Sequence, residues 1–447
     1  MTAFHADLAS RPVPRYTSYP TAAEFGDTIG AADYAAAMRA LTPADRVSLY
    51  LHIPYCHAIC WYCGCNTGAL GRASRLDTYV EALVAEIQTI GRRIEGRVAH
   101  LHFGGGSPNA LSARQFDRIA AALRANFTIA RDAEWAAELD PRFLEPDFCR
   151  ALADNGVDRV SIGAQTFDLR VQARVNRLQP FRMVAGKVAV LRRAGIAHVN
   201  LDLMYGLPGQ SLDSIARTVT LARKLAPDRV AMFGYAHLPR LLPRQRMIDD
   251  GDLPDAEARF WQSRLANDLW HEAGYRAIGF DHFARVTDRL SIVAESGRLR
   301  RNFQGFTDDD ADAVIGLGAS AISSFPGLLA QSEKHVGRYR MKVMNGQLAT
   351  TRGIVRTNDD QRRGRAIERL LCVGPIDLRD LGWTPDAARQ AMAVAMPALS
   401  PLAERGLIQP HATGLSVTRV GLPYARLAAA AFDRFRNPSA ERFSAAV

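Results

Sequence analysis

No stretch of this 447-residue chain approaches the roughly 18 to 20 uninterrupted apolar residues that a membrane-spanning helix requires. Its opening residues, MTAFHADLASRPVPRYTSYPT, lack the apolar core of a signal peptide, and a cytoplasmic protein is expected. Positive charge is in excess, 56 Lys plus Arg against 46 Asp plus Glu, yet there is no long basic run and no nucleic-acid-binding motif. Nucleic acid is therefore not the expected partner. The excess fits either arginines solvated over the surface or an anionic small molecule such as a polycarboxylate. Cysteine is scarce, six in all, and is not spread along a small secreted chain as a disulfide framework would be. Cys149 and Cys372 stand alone in the apolar helical patterns FCRAL and LLCV, where a buried thiol is the ordinary reading. The other four, Cys56, Cys60, Cys63 and Cys65, crowd into CHAICWYCGC, which points to metal or redox chemistry.

What the chain has in plenty is strand and helix in alternation. The length suggests two or three domains, and the patterns divide it into an N-terminal arm over 1–46, a strand–helix domain over 47–350 and a mainly helical domain over 351–447. Strands are read at VSLYLHI, VAHLHF, EWAAELD, RVSIGAQ, HVNLDLMY, RVAMFGYA and YRAIGF, between Val47 and about Phe280. Between them lie helices with apolar faces at three- and four-residue spacing: Val80, Leu83, Val84 and Ile87; Phe116, Ile119, Ala120 and Leu123; Leu212, Ile215, Ala216 and Val219. Ser112 with Gln115 forms a capping box ahead of the second. Repeated units of this kind imply a parallel sheet with right-handed crossovers. A short helix near Ala32 to Leu41 is expected in the arm, and short strands at GLIQP and GLSVT in the C-terminal part.

Within the strands one face is apolar and the other repeatedly polar. Val47, Leu49, Leu51 and Ile53 alternate with Ser48, Tyr50 and His52; Trp135, Ala137 and Leu139 with Glu134, Glu138 and Asp140; Val199, Leu201 and Leu203 with Asn200, Asp202 and Met204. A closed eight-stranded barrel fills its interior with bulky branched side chains. A polar inner face fits an incomplete TIM-like barrel whose lumen holds a polar ligand. A one-sided sheet with solvent on its bare face is the alternative.

The cysteine spacing is C-x3-C-x2-C-x-C, placed immediately after the first strand. Three thiolates in one loop can hold three corners of a cubic four-iron cluster, leaving one iron for substrate or cofactor. Four cysteines could instead make a zinc site, although structural zinc sites usually draw two separated pairs.

These residues resemble the radical S-adenosylmethionine superfamily: the cysteine spacing, an aromatic at Tyr62, and a position just past a barrel strand. More specifically, RYTSYPT at Arg15, YLHIPYCHAICWYCGCNT at Tyr50, HFGGGSP at His102, ELDPR at Glu138, NLDLMYGLPGQ at Asn200, RNFQGFT at Arg301 and GLGASAIS at Gly316 resemble the oxygen-independent coproporphyrinogen III dehydrogenases. The resemblance implies a [4Fe–4S] cluster on Cys56, Cys60 and Cys63, with Cys65 not a ligand, and two molecules of S-adenosylmethionine. By position the cofactor-binding residues would be Tyr50, Tyr62, Gly105, Gly106, Ser107, Glu138, Gln165, Arg177, Asp202, Ala236 and Ile322. The glycine run Gly104–Gly106 suits close backbone approach to that cofactor. Tyr50, Glu138, Gln165 and Asp202 also fall on the polar strand face read without the family. The implied reaction is anaerobic oxidative decarboxylation of two propionates of coproporphyrinogen III, giving the vinyl groups of protoporphyrinogen IX in haem biosynthesis. It uses a 5′-deoxyadenosyl radical, an external electron donor and an electron acceptor, and the enzyme is expected to be a monomer. Competing readings on the same fold are a haem chaperone and a radical methyltransferase or cyclopropanase. A chaperone relative usually lacks the RYTSYPT arm and the fourth cysteine, both present here.

Overall fold

The computed structural model describes residues 3–72, 74–436 and 443–446. Six parallel strands follow the alternation read from the sequence: β1 (Arg46–Ile53), β2 (Arg97–Gly105), β3 (Ile129–Leu139), β4 (Arg159–Gln165), β5 (His198–Tyr205) and β6 (Arg229–Gly234). The helices between them are α1 (Ser74–Gly91), α2 (Ala113–Asn126), α3 (Pro146–Asp154), α4 (Phe181–Arg193) and α5 (Leu212–Lys224). The Ser112–Gln115 capping box is formed, with Gln115 N donating to Ser112 Oγ at 3.3 Å and Ser112 N to Gln115 Oε1 at 2.8 Å. Phe116, Ile119, Ala120 and Leu123 are buried under the sheet, each large side chain contributing roughly 1.5–3 kcal/mol of burial. In α5 the buried face is rotated from the expected one. Ser214, Ile215, Thr218, Val219 and Ala222 turn inward, while Leu212 is exposed. Thr218 Oγ accepts from Phe167 N at 3.1 Å, so a hydroxyl serves on the inward face.

In β1 the polar face is as hidden as the apolar one: Ser48, Tyr50 and His52 are buried along with Val47, Leu49, Leu51 and Ile53. That enclosure removes the bare-sheet alternative. The polar face lines a lumen.

The sheet is larger than the sequence suggested, and not wholly parallel. YRAIGF was expected to continue the parallel series, but β7 (Tyr275–Ile278) pairs antiparallel with β8 (His282–Arg285), which itself runs antiparallel to β6. On the far side of β1 a further parallel strand, β9 (Ala313–Leu317), pairs Tyr50 with Gly316. It escaped notice because GLGASAIS reads as small residues and breakers. Antiparallel β10 (Ile322–Phe325), β11 (Leu328–Ser332) and β12 (Thr350–Val355) complete the order β12-β11-β10-β9-β1-β2-β3-β4-β5-β6-β8-β7. Its two ends do not pair, so the barrel is incomplete, and the main sheet runs past the boundary read at 350.

The arm helix spans Ala31–Arg39. The C-terminal part holds helices Asn358–Leu371 and Pro385–Ala403 and a small sheet that includes Ile408–His411 and Gly414–Val417, where strands were expected. Its core takes in Leu8, Ala9, Val13, Tyr16 and Tyr19 from the arm. Arm and C-terminal part are thus packed as one body over the barrel mouth. Arg300–Asn302 and Gly305–Thr307 form a hairpin with Phe303 and Gln304 at its turn, also over that mouth.

Candidate active site

The cysteine loop leaves the C-terminal end of β1, and four contacts fix its backbone. Trp61 N donates to the Val175 carbonyl at 3.1 Å, and Asn176 Nδ2 to the Ile59 carbonyl at 2.8 Å. Gln245 Nε2 donates to the Tyr62 carbonyl at 2.9 Å, and Arg244 Nη2 to the Thr67 carbonyl at 2.8 Å. Each sulfur has its own surroundings. Cys56 Sγ lies 3.2 Å from Thr67 Oγ1 and 3.6 Å from Ser107 Oγ. Cys60 Sγ accepts from Arg177 Nη1 at 3.2 Å and from Arg142 Nη2 at 3.3 Å. Cys63 Sγ accepts from Cys65 N at 3.4 Å.

The neighbouring pair Cys63 and Cys65 separates in acidity. A hydrogen bond from the Cys65 thiol, then the Cys65 amide and the Arg244 and Arg177 charges, outweigh burial and lower the Cys63 thiol to about 6. The Cys65 thiol, as donor beside that sulfur, is pushed well above the ordinary range. The bond between them drives the two thiols in opposite directions.

The donor set suits an iron–sulfur cluster better than zinc. Among the described residues no three cysteine sulfurs lie mutually within 4.8 Å. Zn–S bonds of about 2.3 Å would draw tetrahedral sulfurs to about 3.8 Å. A cubic cluster holds its ligating sulfurs further apart than that, and hydrogen bonds to them tune its potential.

A chamber of about 190 Å³ opens onto the sulfurs and is lined by Cys56, Cys60, Tyr62, Cys63, Gly105, Gly106, Ser107, Glu138, Gln165, Arg177 and Asp202. Tyr62, Gln165 and Asp202 also line an adjoining cavity of about 530 Å³, where Ala236 lies. Two of the sequence-derived residues are elsewhere. Tyr50 sits behind the chamber, its ring edge-on to Phe303 at 4.5 Å. Ile322 lines a third cavity of about 310 Å³, on the arm side of the Arg300–Thr307 hairpin.

Glu138 and Asp202 are tuned in opposite directions. Desolvation works against the Glu138 carboxylate, but His102 Nε2 at 2.9 Å and the Gly105 amide prevail and hold it below the usual range. Burial, followed by repulsion from Glu138, raises Asp202 to about 7 despite the 2.9 Å bond from Ser161 Oγ. His52 is kept neutral by burial, between Tyr50 Oη at 3.0 Å and the Asn66 carbonyl at 3.0 Å.

The glycine run has an internal reason. A Cβ on Gly104 would stand 3.0 Å from the Glu138 carboxylate, and one on Gly106 only 2.5 Å from the Tyr55 carbonyl. Gly105 has φ +105° against the His52 ring. The close approach that glycine permits is thus to the protein's own atoms.

Sequence reasoning missed Asp140 and Arg142. Buried Asp140 accepts from Arg142 Nη2 at 2.6 Å and Arg177 Nη1 at 3.3 Å, and so aims both guanidiniums at Cys60. It missed His102 too, although the alternation of His100, His102 and Gly104 with Leu101 and Phe103 carried the signal. Phe303 and Arg301 fall in the RNFQGFT motif and Arg15 in RYTSYPT, but no local signal gave them a role at the larger cavity.

An oxygen-independent coproporphyrinogen III oxidase of Bradyrhizobium diazoefficiens is 42% identical over 450 residues, covering 99% of this chain and 100% of the relative. This chain belongs to the oxygen-independent coproporphyrinogen III oxidase family. An Escherichia coli K12 member of that family is 37% identical, over 96% of this chain and 94% of its own length. The solved structure of Escherichia coli coproporphyrinogen III oxidase, described as a radical SAM enzyme, superposes with a TM-score of 0.89 at 36% identity, covering 94% of this chain and 98% of that one. The profile of the Radical SAM superfamily matches residues 50–222, the span from β1 into α5. The protein is a radical SAM enzyme, and its cofactors are a [4Fe–4S] cluster and S-adenosylmethionine. Among the described residues no helix is long and apolar enough to cross a membrane.

Proposed function

We propose that the protein carries out anaerobic oxidative decarboxylation of two propionates of coproporphyrinogen III in the cytoplasm, giving protoporphyrinogen IX for haem synthesis. The observation that carries this reading is full-length similarity to enzymes named for that substrate, joined to a thiol loop at the barrel mouth. Cys56, Cys60 and Cys63 bind the cluster, and Cys65 is not a ligand. When bound, the cluster and S-adenosylmethionine supply a 5′-deoxyadenosyl radical that takes a hydrogen atom from the substrate. Each propionate, –CH2–CH2–COO⁻, gives up one hydrogen atom, one electron and carbon dioxide to become –CH=CH2. An external donor supplies electrons for cofactor cleavage, and a separate acceptor takes the electron left on the substrate. The chain acts as a monomer.

The chain's own residues position and exclude. Arg142 and Arg177 direct N–H groups at Cys60, where hydrogen bonds to sulfur tune a cluster's potential. Ionised Glu138 and largely protonated Asp202 at mildly acid pH present an acceptor and a donor across one chamber to the polar parts of S-adenosylmethionine. Tyr62, Gly105, Gly106, Ser107, Gln165 and Ala236 line its path. Two cofactor molecules are accommodated per catalytic cycle. The arm and the Arg300–Thr307 hairpin keep water and oxygen from the radical.

Anaerobic incubation with coproporphyrinogen III, reductant, an electron acceptor and S-adenosylmethionine tests the reading. The expected product is protoporphyrinogen IX, with two S-adenosylmethionine consumed per molecule. Tight stoichiometric haem binding without conversion would point to a chaperone instead.

A further inference from the structure

The larger cavity is walled by four arginines drawn from distant parts of the chain: Arg15 of the arm, Arg259 of helix α6 (Ala256–Glu272), Arg301 of the hairpin and Arg426 of the C-terminal part. Arg15 Nη2 donates to the Gly234 carbonyl, and Arg426 Nη2 to the Ala445 carbonyl at 2.8 Å. Arg301 lies over the rings of Phe306 at 4.5 Å and Phe280 at 5.0 Å, and its Nε and Nη1 are buried without a hydrogen-bond partner. The Arg259 guanidinium packs so closely on Gly206 that a Cβ there would collide with it, and it lies against Gly234 beside the Tyr205 ring. The partners named for Arg15, Arg301 and Arg426 are carbonyls and rings, which carry no countercharge.

Two carboxylates line the same cavity. Asp281 stays ionised because His282, Arg301 and Arg15 overcome its desolvation, whereas Asp202 is raised to about 7. Burial, with mutual repulsion among the guanidiniums, lowers Arg15, and it lowers Arg426 to about 10. Positive charge out of water is strongly unfavourable unless an anion meets it. A cavity of about 530 Å³ is of the size that encloses an organic ligand.

We infer that Arg15, Arg259, Arg301 and Arg426 form the carboxylate-recognition wall for the propionates of the tetrapyrrole, so that arm, hairpin and C-terminal part build the substrate site jointly. This rests on the proposed reaction and adds the residues that would select a substrate with several carboxylates. It also gives the arm a direct role. Deleting the arm would be a poor test, because Leu8, Ala9, Val13, Tyr16 and Tyr19 belong to the C-terminal core.

The test uses cluster-loaded full-length protein and titrates coproporphyrin III, the stable oxidised tetracarboxylate, against its tetramethyl ester. Wild-type protein should bind the acid well and the ester weakly, with the acid's affinity falling as salt rises. Arg301→Gln and Arg15→Gln should each weaken acid binding by roughly tenfold to a hundredfold, the range of one charge-assisted hydrogen bond. They should raise the KM for coproporphyrinogen III, flatten the salt dependence and leave cluster iron and S-adenosylmethionine affinity at wild-type values. Arg301→Lys should recover part of the loss. Wild-type affinity in both glutamine variants, or equal binding of acid and ester by the wild type, would overturn the inference. Arginine-dependent acid binding by an enzyme that converts no coproporphyrinogen III would uphold the wall and overturn the reaction instead.

Discussion

Ser48, His100, Glu134 and Arg159, near the N-terminal ends of β1 to β4, and Tyr50, His102, Glu138 and Gln165, further along the same strands, contribute polar groups to one barrel. They differ in what meets them. At the lower end the partners are other side chains. Ser48 Oγ donates to Asp309 at 2.6 Å, and His100 lies 3.6 Å from the same carboxylate. Arg159 reaches Glu134 at 3.3 Å, and Arg229 reaches Asp288 at 2.8 Å. At the upper end Glu138, Gln165 and Asp202 border an open chamber beside the sulfurs. Strand alternation identifies an inward polar residue without saying whether it is matched within the protein or offered to a ligand. The lower end is a plug of matched charge, and the upper end is the site.

The sharpest separation concerns the loop itself. Replacing Cys56, Cys60 or Cys63 with alanine should abolish the cluster in anaerobically purified protein, measured as iron and labile sulfide. Cys65→Ala should retain both. Retention of a full cluster by a Cys63→Ala protein would contradict the assignment of Cys56, Cys60 and Cys63 as its ligands.

At the plug, Asp288→Ala would leave the Arg229 and Arg159 guanidiniums short of countercharge in a buried setting. Such a change costs about 3–5 kcal/mol, to be seen as a lower denaturation midpoint with unchanged turnover per folded molecule. A stable variant with lost turnover would show that the lower end takes part in the chemistry.

Smaller effects should appear in the pH dependence of stability of the cluster-free protein, with opposite signs for Glu134 and Asp202. Arg159, Arg229 and His100 outweigh desolvation and depress Glu134. Its contribution is present above the unfolded value of about 4.3 and is lost as pH falls through the depressed folded value. Asp202, raised to about 7 among Glu138, Ser161, Arg177 and His102, ionises near 3.9 when unfolded. The folded state then holds the extra proton, so stability declines as pH rises from about 4 to about 7 and levels off above. Asp202→Asn should remove that decline, and Glu134→Gln should remove the acid-side loss. Denaturant titrations across this range read both.

The legible parts of the molecule were those that repeat locally. Six parallel strands and the capping box came from periodicity over a few residues, and Glu138 and Asp202 fell on the inner face for the same reason. Strand β9 is short, Ala313–Leu317, and ends against Gly316 and Gly318, although Gly316 is needed where a Cβ would stand 2.6 Å from the Ile322 carbonyl. The α5 face was misread because Ser214 and Thr218 are buried polar residues. The arginine wall had no local pattern joining its members, although Arg15 and Arg301 fall in the RYTSYPT and RNFQGFT motifs. It is assembled from segments hundreds of residues apart, joined by contacts such as Arg15 to the Gly234 carbonyl.

The division between plug and site is tested most directly by S-adenosylmethionine binding to cluster-loaded protein under anaerobic conditions, with Glu138→Gln compared against Glu134→Gln. Both change one inward carboxylate on β3, four residues apart. Glu138→Gln should bind the cofactor at least tenfold more weakly. Glu134→Gln should bind it as the wild type does while its midpoint falls. The reverse pattern, with binding lost in Glu134→Gln and kept in Glu138→Gln, would contradict the account.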